Sequence, residues 1–385
     1  MRLEIKTKSC KHGGTLRFAP PLKTFFAVLF CNQYQGLSCM KTSKAGAIEV
    51  VIVLLFTVLV LAGVKDFAVW NQVLYIWGGR PNPFLTSPTE LGAHGLRYAL
   101  LYPLLRFAET TGIHHDILFT TLALPNLLIV IRNVRKSTAV VVGRTHIQVG
   151  FALFNALLFA FLFLQMNGRM TLAFFGFSLV IYNINYIDKA QRHRRGSALQ
   201  IFIGLLFCGV SSGTMAAAFL ISLLAFFKFS LYEIIRLRMS RSKTLAVVAI
   251  AAAAYSFGVF VFIGLIKNLT FYGGGPAAFI EMLKHGAGVF IYPLLENGLI
   301  LALLLIIPVA LLVFIMKSER PFLTLQIILS LSCGLFGFST MTLATIPIMI
   351  WIGGIWHRTP PPVSHHASDK VRHPLNRRVR VLQTG

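Results

Sequence analysis

Charged residues are scarce in this sequence of 385 residues, and acidic ones most of all. Asp and Glu together number 12, charged residues make up 12% of the chain and hydrophobic residues 56%, with a mean hydropathy of +0.73. Soluble globular proteins carry about 25% charged residues, so that class is excluded. The apolar runs have helical length, and helices satisfy their own backbone in lipid. The sequence therefore predicts an all-α, polytopic integral membrane protein.

Cysteine and cofactor motifs are also scarce. The five cysteines are odd in number and form no CxxC pair, so neither a disulfide framework nor a thiolate metal centre is indicated. The chain has no GxxxxGK(S/T), GxGxxG or HExxH motif, so ATP-driven transport, nucleotide-cofactor chemistry and zincin proteolysis have no motif support. We therefore expect no cofactor and no bound metal.

Apolar stretches of about 20 residues, the length that crosses a bilayer core, recur along the chain. They leave a basic N-terminal segment (1–45), a membrane domain (46–356) and a basic tail (357–385). Two outer loops, 65–112 and 267–289, are long enough to build a site. We predict about ten transmembrane helices, at 46–64, 113–131, 147–165, 170–187, 197–210, 214–233, 245–266, 290–316, 321–338 and 341–356.

Positive charge sets the predicted orientation. The formal net charge is +24, from 36 Lys and Arg against 12 Asp and Glu. With both termini in the cytoplasm, 28 of the 36 cations fall in cytoplasmic segments, as the positive-inside rule requires. Topology thus explains most of the charge, and we expect no nucleic-acid partner.

The stretch 197–233 is predicted to be a hairpin. Both of its flanks are basic, so the positive-inside rule requires an even number of crossings between them. Its main polar break is Ser211–Thr214, where we place the turn. Gly204, Gly209 and Gly213 would let the two arms pack closely.

The first outer loop combines acidic, basic and aromatic side chains. Carboxylates and guanidinium groups bind sugar hydroxyls and phosphates, and aromatic faces stack on sugar C–H surfaces. The mixture is typical of a carbohydrate cleft, although Trp and Tyr also form the ordinary interfacial belt. From Leu91 onward, leucines at helical spacing predict an amphipathic helix, kinked at Pro103. The acidic, basic and aromatic side chains of this loop are Asp66, Trp70, Tyr75, Trp77, Arg80, Glu90, His94, Arg97, Tyr98, Arg106 and Glu109.

Two further places hold candidate residues. Arg169 heads the fourth predicted span, where a guanidinium either clamps a phosphate with two hydrogen bonds or simply reaches the lipid interface. In the second outer loop, Glu281, Lys284 and His285 stand at i, i+3 and i+4 of a predicted short helix. That spacing places an acid, a cation and an imidazole on one helix face.

Two motifs resemble reactive sites but give weak signals. His114-His115-Asp116 has the residue types of a metal site, but consecutive helical residues point about 100° apart and cannot face one ion without a break. Gly209–Gly213 matches GxSxG, but the hydrolase elbow needs a preceding strand, and this match turns between two apolar spans. Neither motif leads us to predict a metal centre or a serine nucleophile.

The order of features from Asp66 to about Ser230 resembles the Wzy/EpsG group of bacterial polysaccharide polymerases. That group has an early acidic residue, a loop acid leading into an apolar stretch, a basic loop, an Arg-headed span and a serine-rich turn. Here the matching pieces are Asp66, Glu90 with LLYPLLRFAETTG (100–112), the basic loop 132–136, NGRMTLAFFGFS (167–178) and CGVSSGTMAAAF (208–219).

The resemblance implies an enzyme that joins oligosaccharide repeat units, carried on undecaprenyl pyrophosphate, at the outer face of the bacterial inner membrane. Its partners are then the lipid-linked oligosaccharide, membrane lipids, a flippase and a chain-length regulator. Glu90, Asp66 or His285 would act as the base, with Glu90 favoured. The substrate-binding candidates are Arg169, Arg80, Arg97, Arg106, Lys284, Ser211 and Ser212.

Three other functions remain open on the sequence. A GT-C-type glycosyltransferase or an O-antigen ligase would use the same carrier and differ in its product. A lipid-linked oligosaccharide flippase or other transporter predicts polar residues along many spans, whereas the spans here are nearly uncharged. A membrane acyltransferase fits the span count, but no HxxxxD arrangement stands at an interface.

Overall fold

The structure, a computed structural model, describes most of the chain between positions 44 and 228 and its last third in part. The described ranges are 44–68, 71–79, 81–86, 95–144, 146–190, 195–228, 320–333 and 340–357, with scattered positions from 248 to 281. All regular secondary structure in these ranges is helical, which confirms the all-α prediction for them. The predicted spans 245–266 and 290–316 lie largely or wholly outside the described residues, as does nearly all of both basic ends.

Ten α-helices account for the described ranges, together with a short 3-10 helix at Thr340–Ala344. Their number does not establish ten crossings, because two of them, α2 and α3, lie in the segment predicted to be the first outer loop. The helices are α1 (Lys44–Leu61), α2 (Asn71–Gly78), α3 (Gly95–Thr111), α4 (His115–Val142), α5 (Val149–Leu164), α6 (Gly168–Ala190), α7 (Arg195–Cys208), α8 (Ser212–Phe226), α9 (Pro321–Ser332) and α10 (Thr345–Trp356).

Three of the described helices are long and apolar enough to cross a membrane, namely α1, α4 and α6. Helices α5, α7, α8, α9 and α10 are apolar but shorter. Large apolar side chains stay exposed on α1 and α5, for example Leu54, Val58, Leu157 and Phe161. Outward apolar faces of this kind are what lipid contact requires. The chain is therefore a helical membrane protein, while the ten-span count and the side of its termini remain predictions.

Helix α6 lies at the centre of the described bundle. Most of its residues are buried, and it packs mainly against α4 and α7. The crossing with α7 is made by two glycines: a Cβ added to Gly176 would lie 2.5 Å from the carbonyl oxygen of Gly204, and one added to Gly204 would lie 2.7 Å from that of Gly176. Small residues at such crossings let backbones approach closely. The expectation that Gly204 joins the two arms of the hairpin is wrong, because it joins α7 to α6.

Helix α4 extends beyond the predicted span. The prediction ended it at position 131 and placed 132–136 in a basic loop, but the helix continues to Val142 and ends at Gly143, whose φ is 71°. The predicted loop at 132–136 is therefore wrong, because these residues are helical and their charges find partners on neighbouring helices. Arg135 forms two hydrogen bonds with Glu49 of α1, and Lys136 lies over the ring of Tyr182.

The hairpin and the amphipathic helix are where the sequence placed them. Helix α7 ends at Cys208 and α8 begins at Ser212, so the chain turns at the predicted polar break. Helix α3 buries one face, formed by Tyr98, Leu101, Leu105 and Ala108. Pro103 lies inside α3 on its exposed side.

Candidate anion-binding site

Helices α4 and α6 run parallel, which defines the two ends of the bundle. Phe119 packs on Gly168, Asn133 donates a hydrogen bond to Ser178, and Lys136 lies over Tyr182, so contacts advance together along both helices. We call the end where both helices begin the Arg169 end. We call the end where both finish the Asp188 end.

The segment that follows α1 is held against the Arg169 end. The amide of Phe67 donates to Thr120 Oγ1 of α4, and the amide of Gly168 donates to the carbonyl oxygen of Ala68, each over 3.3 Å. A Cβ on Gly168 would lie 2.7 Å from the carbonyl oxygen of Phe67, so the approach requires glycine. Asp66, next in the chain, is exposed at this end.

Helix α3 and the turn between α7 and α8 also meet the bundle near this end. A Cβ on Gly209 would lie 2.6 Å from Leu100 Cδ1, so the glycine makes room for α3. Ser211 is 3% exposed, and its amide donates to the carbonyl oxygen of Cys208. Ser212 begins α8, and the structure describes its backbone but not its side chain. Because helix α7 precedes the GxSxG match, the motif does not form a strand-based hydrolase elbow.

Two arginines lie within electrostatic range of each other at the Arg169 end. Arg169 is only 6% exposed, and the charge of Arg97 acts on it. Burial lowers the pKa of Arg97 from its usual value. Both arginines also take part in other interactions. Two neighbouring cations in a poorly solvated place repel each other, and an anion between them relieves that repulsion.

An aromatic cluster lies on α2, α3 and the loop between them. It consists of Trp77, Phe84, Tyr98 and Tyr102, whose rings meet edge to face around Tyr102 at centroid distances of 5.7 to 6.0 Å. The hydroxyl of Tyr98 donates to the carbonyl oxygen of Pro81 over 2.6 Å, which fixes the loop on α3. Burial raises the pKa of Tyr98. Trp77 and Tyr98 are two of the aromatic residues of the predicted carbohydrate cleft, and Phe84 and Tyr102 join them. Tyr75 is exposed, Trp70 lies outside the described residues, and the cleft itself remains a prediction.

Arg106 is engaged by its own neighbours. Its Nη1 lies 2.6 Å from Glu109 Oε2, and its Nε donates to the Tyr102 hydroxyl over 3.1 Å. The guanidinium also stacks near the rings of Trp77 and Tyr102. The hydrogen bond with Glu109 is the main cause that raises the pKa of Arg106. These contacts account for Arg106 within α3, and its predicted role toward substrate remains a prediction.

Several predicted site residues lie outside the described residues. They are Arg80, Glu90, Lys284 and His285. The favoured base, Glu90, is thus not placed, and Asp66 is the one predicted carboxylate base that the structure locates. Of Glu281 the structure describes a single helical position.

His114, His115 and Asp116 come together, contrary to the expectation for a continuous helix. One potential ligand atom from each lies within 4.8 Å of the others. Helix α4 begins at His115, so His114 is its N-cap residue and lies outside the helical spiral. The geometric argument against a shared ion therefore does not apply to His114, although His115 and Asp116 are still consecutive residues of the helix.

Buried polar groups inside the spans are what sequence reasoning missed. Glu49 is 0% exposed and forms an ion pair with Arg135. Asn133 and Asn126 are seven residues apart and lie on one face of α4. That helical spacing in an apolar run is the sequence signal that would have indicated a polar face. Counting charged residues in the spans does not detect Asn and Gln, because their amides are polar but neutral.

These amides are only partly satisfied. Gln326 Nε2 donates to Asn185 Oδ1 over 2.9 Å and thereby joins α9 to α6, and Asn155 Nδ2 donates to the carbonyl oxygen of Ile131 over 3.1 Å. Five buried amides still have one atom without a hydrogen-bond partner, which is costly in a dry interior. Those atoms are Asn126 Nδ2, Asn133 Oδ1, Asn155 Oδ1, Asn185 Nδ2 and Gln326 Oε1.

Comparison of the chain with protein-family models, curated proteins and solved structures finds no match. The likeness to the Wzy/EpsG group therefore remains a resemblance in residue order.

Proposed function

We propose that the chain is a membrane-embedded glycosyltransferase that polymerises oligosaccharide repeat units carried on undecaprenyl pyrophosphate. The observation that carries the proposal is the buried Arg169, 6% exposed, with Arg97 within electrostatic range of it. A pyrophosphate supplies the anion that such a pair favours, and guanidinium groups bind its oxygens with paired hydrogen bonds. The aromatic cluster on α2 and α3, the latter being the helix that carries Arg97, suits the attached sugar.

The chemistry needs few groups, because lipid pyrophosphate is already a good leaving group. A hydroxyl of the acceptor sugar attacks the anomeric carbon of the donor, and the bond from that carbon to the pyrophosphate oxygen breaks. The proton of the hydroxyl passes to a carboxylate, and the lipid pyrophosphate leaves with the bonding electrons. Arg97 and Arg169 stabilise the charge that develops on the leaving oxygen. Asp66 or Glu90 takes the proton.

The distribution of charge supports an outer location for this site. Arg144, Lys189 and Lys228 lie at or near the Asp188 end, so the positive-inside rule places that end toward the cytoplasm. The Arg169 end then faces outward, where lipid-linked repeat units would be delivered by a flippase. On this proposal the protein resides in the bacterial inner membrane and works beside a chain-length regulator.

The test is the size distribution of surface polysaccharide on a gel, from a host lacking the gene and complemented with variants. We expect the deletion to leave single repeat units, and Arg97→Gln and Arg169→Lys to shorten the polymer. Losing one paired, charge-assisted contact costs about 1.5–3 kcal/mol, which is roughly a tenfold to hundredfold loss of rate.

Arg144→Gln is the matched control, since Arg144 is an exposed arginine beyond the opposite end of α4. It should leave polymer length unchanged, with all variants compared at equal protein level by immunoblot. Normal polymer in both site variants would refute the anion-binding role of the arginines. A normal ladder in the deletion strain would refute the polysaccharide function. Polymer that forms but is not joined to its anchor would identify a ligase instead.

A second candidate function is transport of the lipid-linked oligosaccharide. It is favoured by the buried amides of α4, α5, α6 and α9, whose unpartnered atoms are of the kind that lines a path through a membrane. On this alternative, the deletion strain traps lipid-linked units on the cytoplasmic side and makes no polymer. Repeat units delivered to the outer face in that strain would exclude it.

A further inference from the structure

The start of helix α4 brings together three side chains that the proposed reaction does not use. His114 Nδ1 lies 3.7 Å from Asp116 Oδ2, and the rings of His114 and His115 are 4.1 Å apart between centroids. One potential ligand atom from each residue lies within 4.8 Å of the other two. We propose that His114, His115 and Asp116 bind one divalent transition-metal ion of the Zn²⁺ type.

The backbone explains how three consecutive residues converge. His114 is the N-cap of α4, with φ −59° and ψ 136°, so its side chain does not follow the helical spiral. The planes of the two imidazole rings are inclined by 68°, which lets both rings approach one point from different directions. Had the helix begun one turn earlier, the side chains would diverge by about 100° per residue.

The donor set selects the class of metal. Two imidazoles and one carboxylate with an open position form the ligand set of catalytic zinc sites, with bond lengths of about 2.0–2.2 Å. Mg²⁺ and Ca²⁺ prefer oxygen ligands and are disfavoured here. His114 is the exposed member, with 61% of its side chain accessible, so it is the ligand with the most room to reorient toward a bound ion.

The helix dipole accounts for only one of the three residues. An acidic residue in a first helical turn is stabilised by the dipole alone, which is sufficient reason for Asp116. The dipole disfavours positive charge at the same end, so it gives no reason for the histidines. His114 also caps the helix, because its Nδ1 accepts a hydrogen bond from the amide of Asp116 over 3.4 Å. Neither the dipole nor the cap gives a reason for His115 beside them, and metal binding does.

The site borders the Arg169 end. His115 and Asp116 stand one turn before Phe119 and Thr120, the residues of α4 that contact Gly168 and the backbone of Phe67. The ligand set is complete without a sugar or a pyrophosphate. Metal binding therefore stands independently of the proposed function.

The experiment is titration of the full chain with Co²⁺, purified in detergent without a polyhistidine tag. Co²⁺ replaces Zn²⁺ and reports its coordination in the visible spectrum. We expect one equivalent with tetrahedral-type absorption, and loss of this binding in His115→Ala and Asp116→Asn. The affinity for Co²⁺ should fall by more than about tenfold in each variant. Removing a group that only hydrogen-bonds to a metal ligand already lowers metal affinity by about tenfold or more, and these variants remove a ligand itself.

The chain contains 11 histidines, so a control for Co²⁺ binding at other histidines is needed. His146→Ala removes an exposed histidine at the opposite end of α4 and should leave the spectrum unchanged. His114→Gln changes the exposed ligand without disturbing the helix interior, so it decides the question if His115→Ala fails to fold. A spectrum and stoichiometry that are identical in His114→Gln and the unmodified chain would overturn the proposal.

Discussion

The glycine crossing between α6 and α7 gives the sharpest prediction for stability. In Gly176→Ala the new Cβ would lie 2.5 Å from the carbonyl oxygen of Gly204 and 2.9 Å from the amide nitrogen of Cys208. Both obstacles are backbone atoms, so no side-chain rotation relieves them. Restoring a normal separation of about 3.5 Å requires the two helices to part by about 1 Å.

The expected magnitude combines two opposing effects. Overpacking costs about 1–3 kcal/mol, and the upper part of that range applies because the backbone itself must move. Alanine is a better helix former than glycine by about 1 kcal/mol, which offsets part of the cost. We therefore expect Gly176→Ala and Gly204→Ala each to lower the free energy of unfolding by about 1–2 kcal/mol. Moving α6 and α7 apart once relieves the contacts of both new Cβ atoms. The double variant should therefore lose less free energy of unfolding than the two single variants added together.

The assay is unfolding of purified protein in mixed micelles by increasing SDS, followed by circular dichroism. Gly78→Ala is the matched control, because a Cβ at this helical glycine meets nothing within 4 Å. It should be neutral or slightly stabilising. Losses below about 0.5 kcal/mol in both single variants, within the usual range for neutral substitutions, would refute the close crossing.

Two further predictions use the same assay. Arg135→Met leaves the fully buried Glu49 without its cation and should cost about 3–5 kcal/mol, while the double variant with Glu49→Gln should recover much of that loss. An equal loss in the double variant would contradict the coupling. Tyr98→Phe removes the hydrogen bond to Pro81 and should cost about 1 kcal/mol. Because burial raises the pKa of Tyr98, that contribution is present at neutral pH and is lost as the pH rises beyond about 10. Parallel pH profiles for Tyr98→Phe and the unmodified chain would contradict this.

Helix positions were largely predictable because hydropathy acts locally. The described helices α1 and α5–α7 fall within a few residues of the predicted spans, and the turn at Ser211 follows from a polar break between apolar runs. The end of α4 was not predictable in this way. Its basic residues look like a loop until Glu49 and Tyr182, both distant in sequence, are brought against them.

The candidate site was predictable in its residue types but not in its assembly. Arg169, Arg97, Trp77 and Tyr98 were singled out as chemically suitable, and the structure places Arg97 within electrostatic range of Arg169 and Trp77 and Tyr98 in one aromatic cluster. The buried amides escaped notice because hydropathy averages conceal an uncharged polar side chain in an apolar run. Their burial depends on which helix faces meet.

By itself the sequence determined the class of protein and the main helices, because scarcity of charge and the length of apolar runs are local properties that a bilayer reads directly. Only the tertiary structure decided which groups share a place. Gly168 lets the chain after Asp66 lie on α6, Arg97 of α3 comes within electrostatic range of Arg169, and α4 begins where His114 turns back toward Asp116. The first two of these arrangements depend on how closely the helices pack, and the third depends on the residue at which α4 starts. Composition encodes neither the packing nor the helix start.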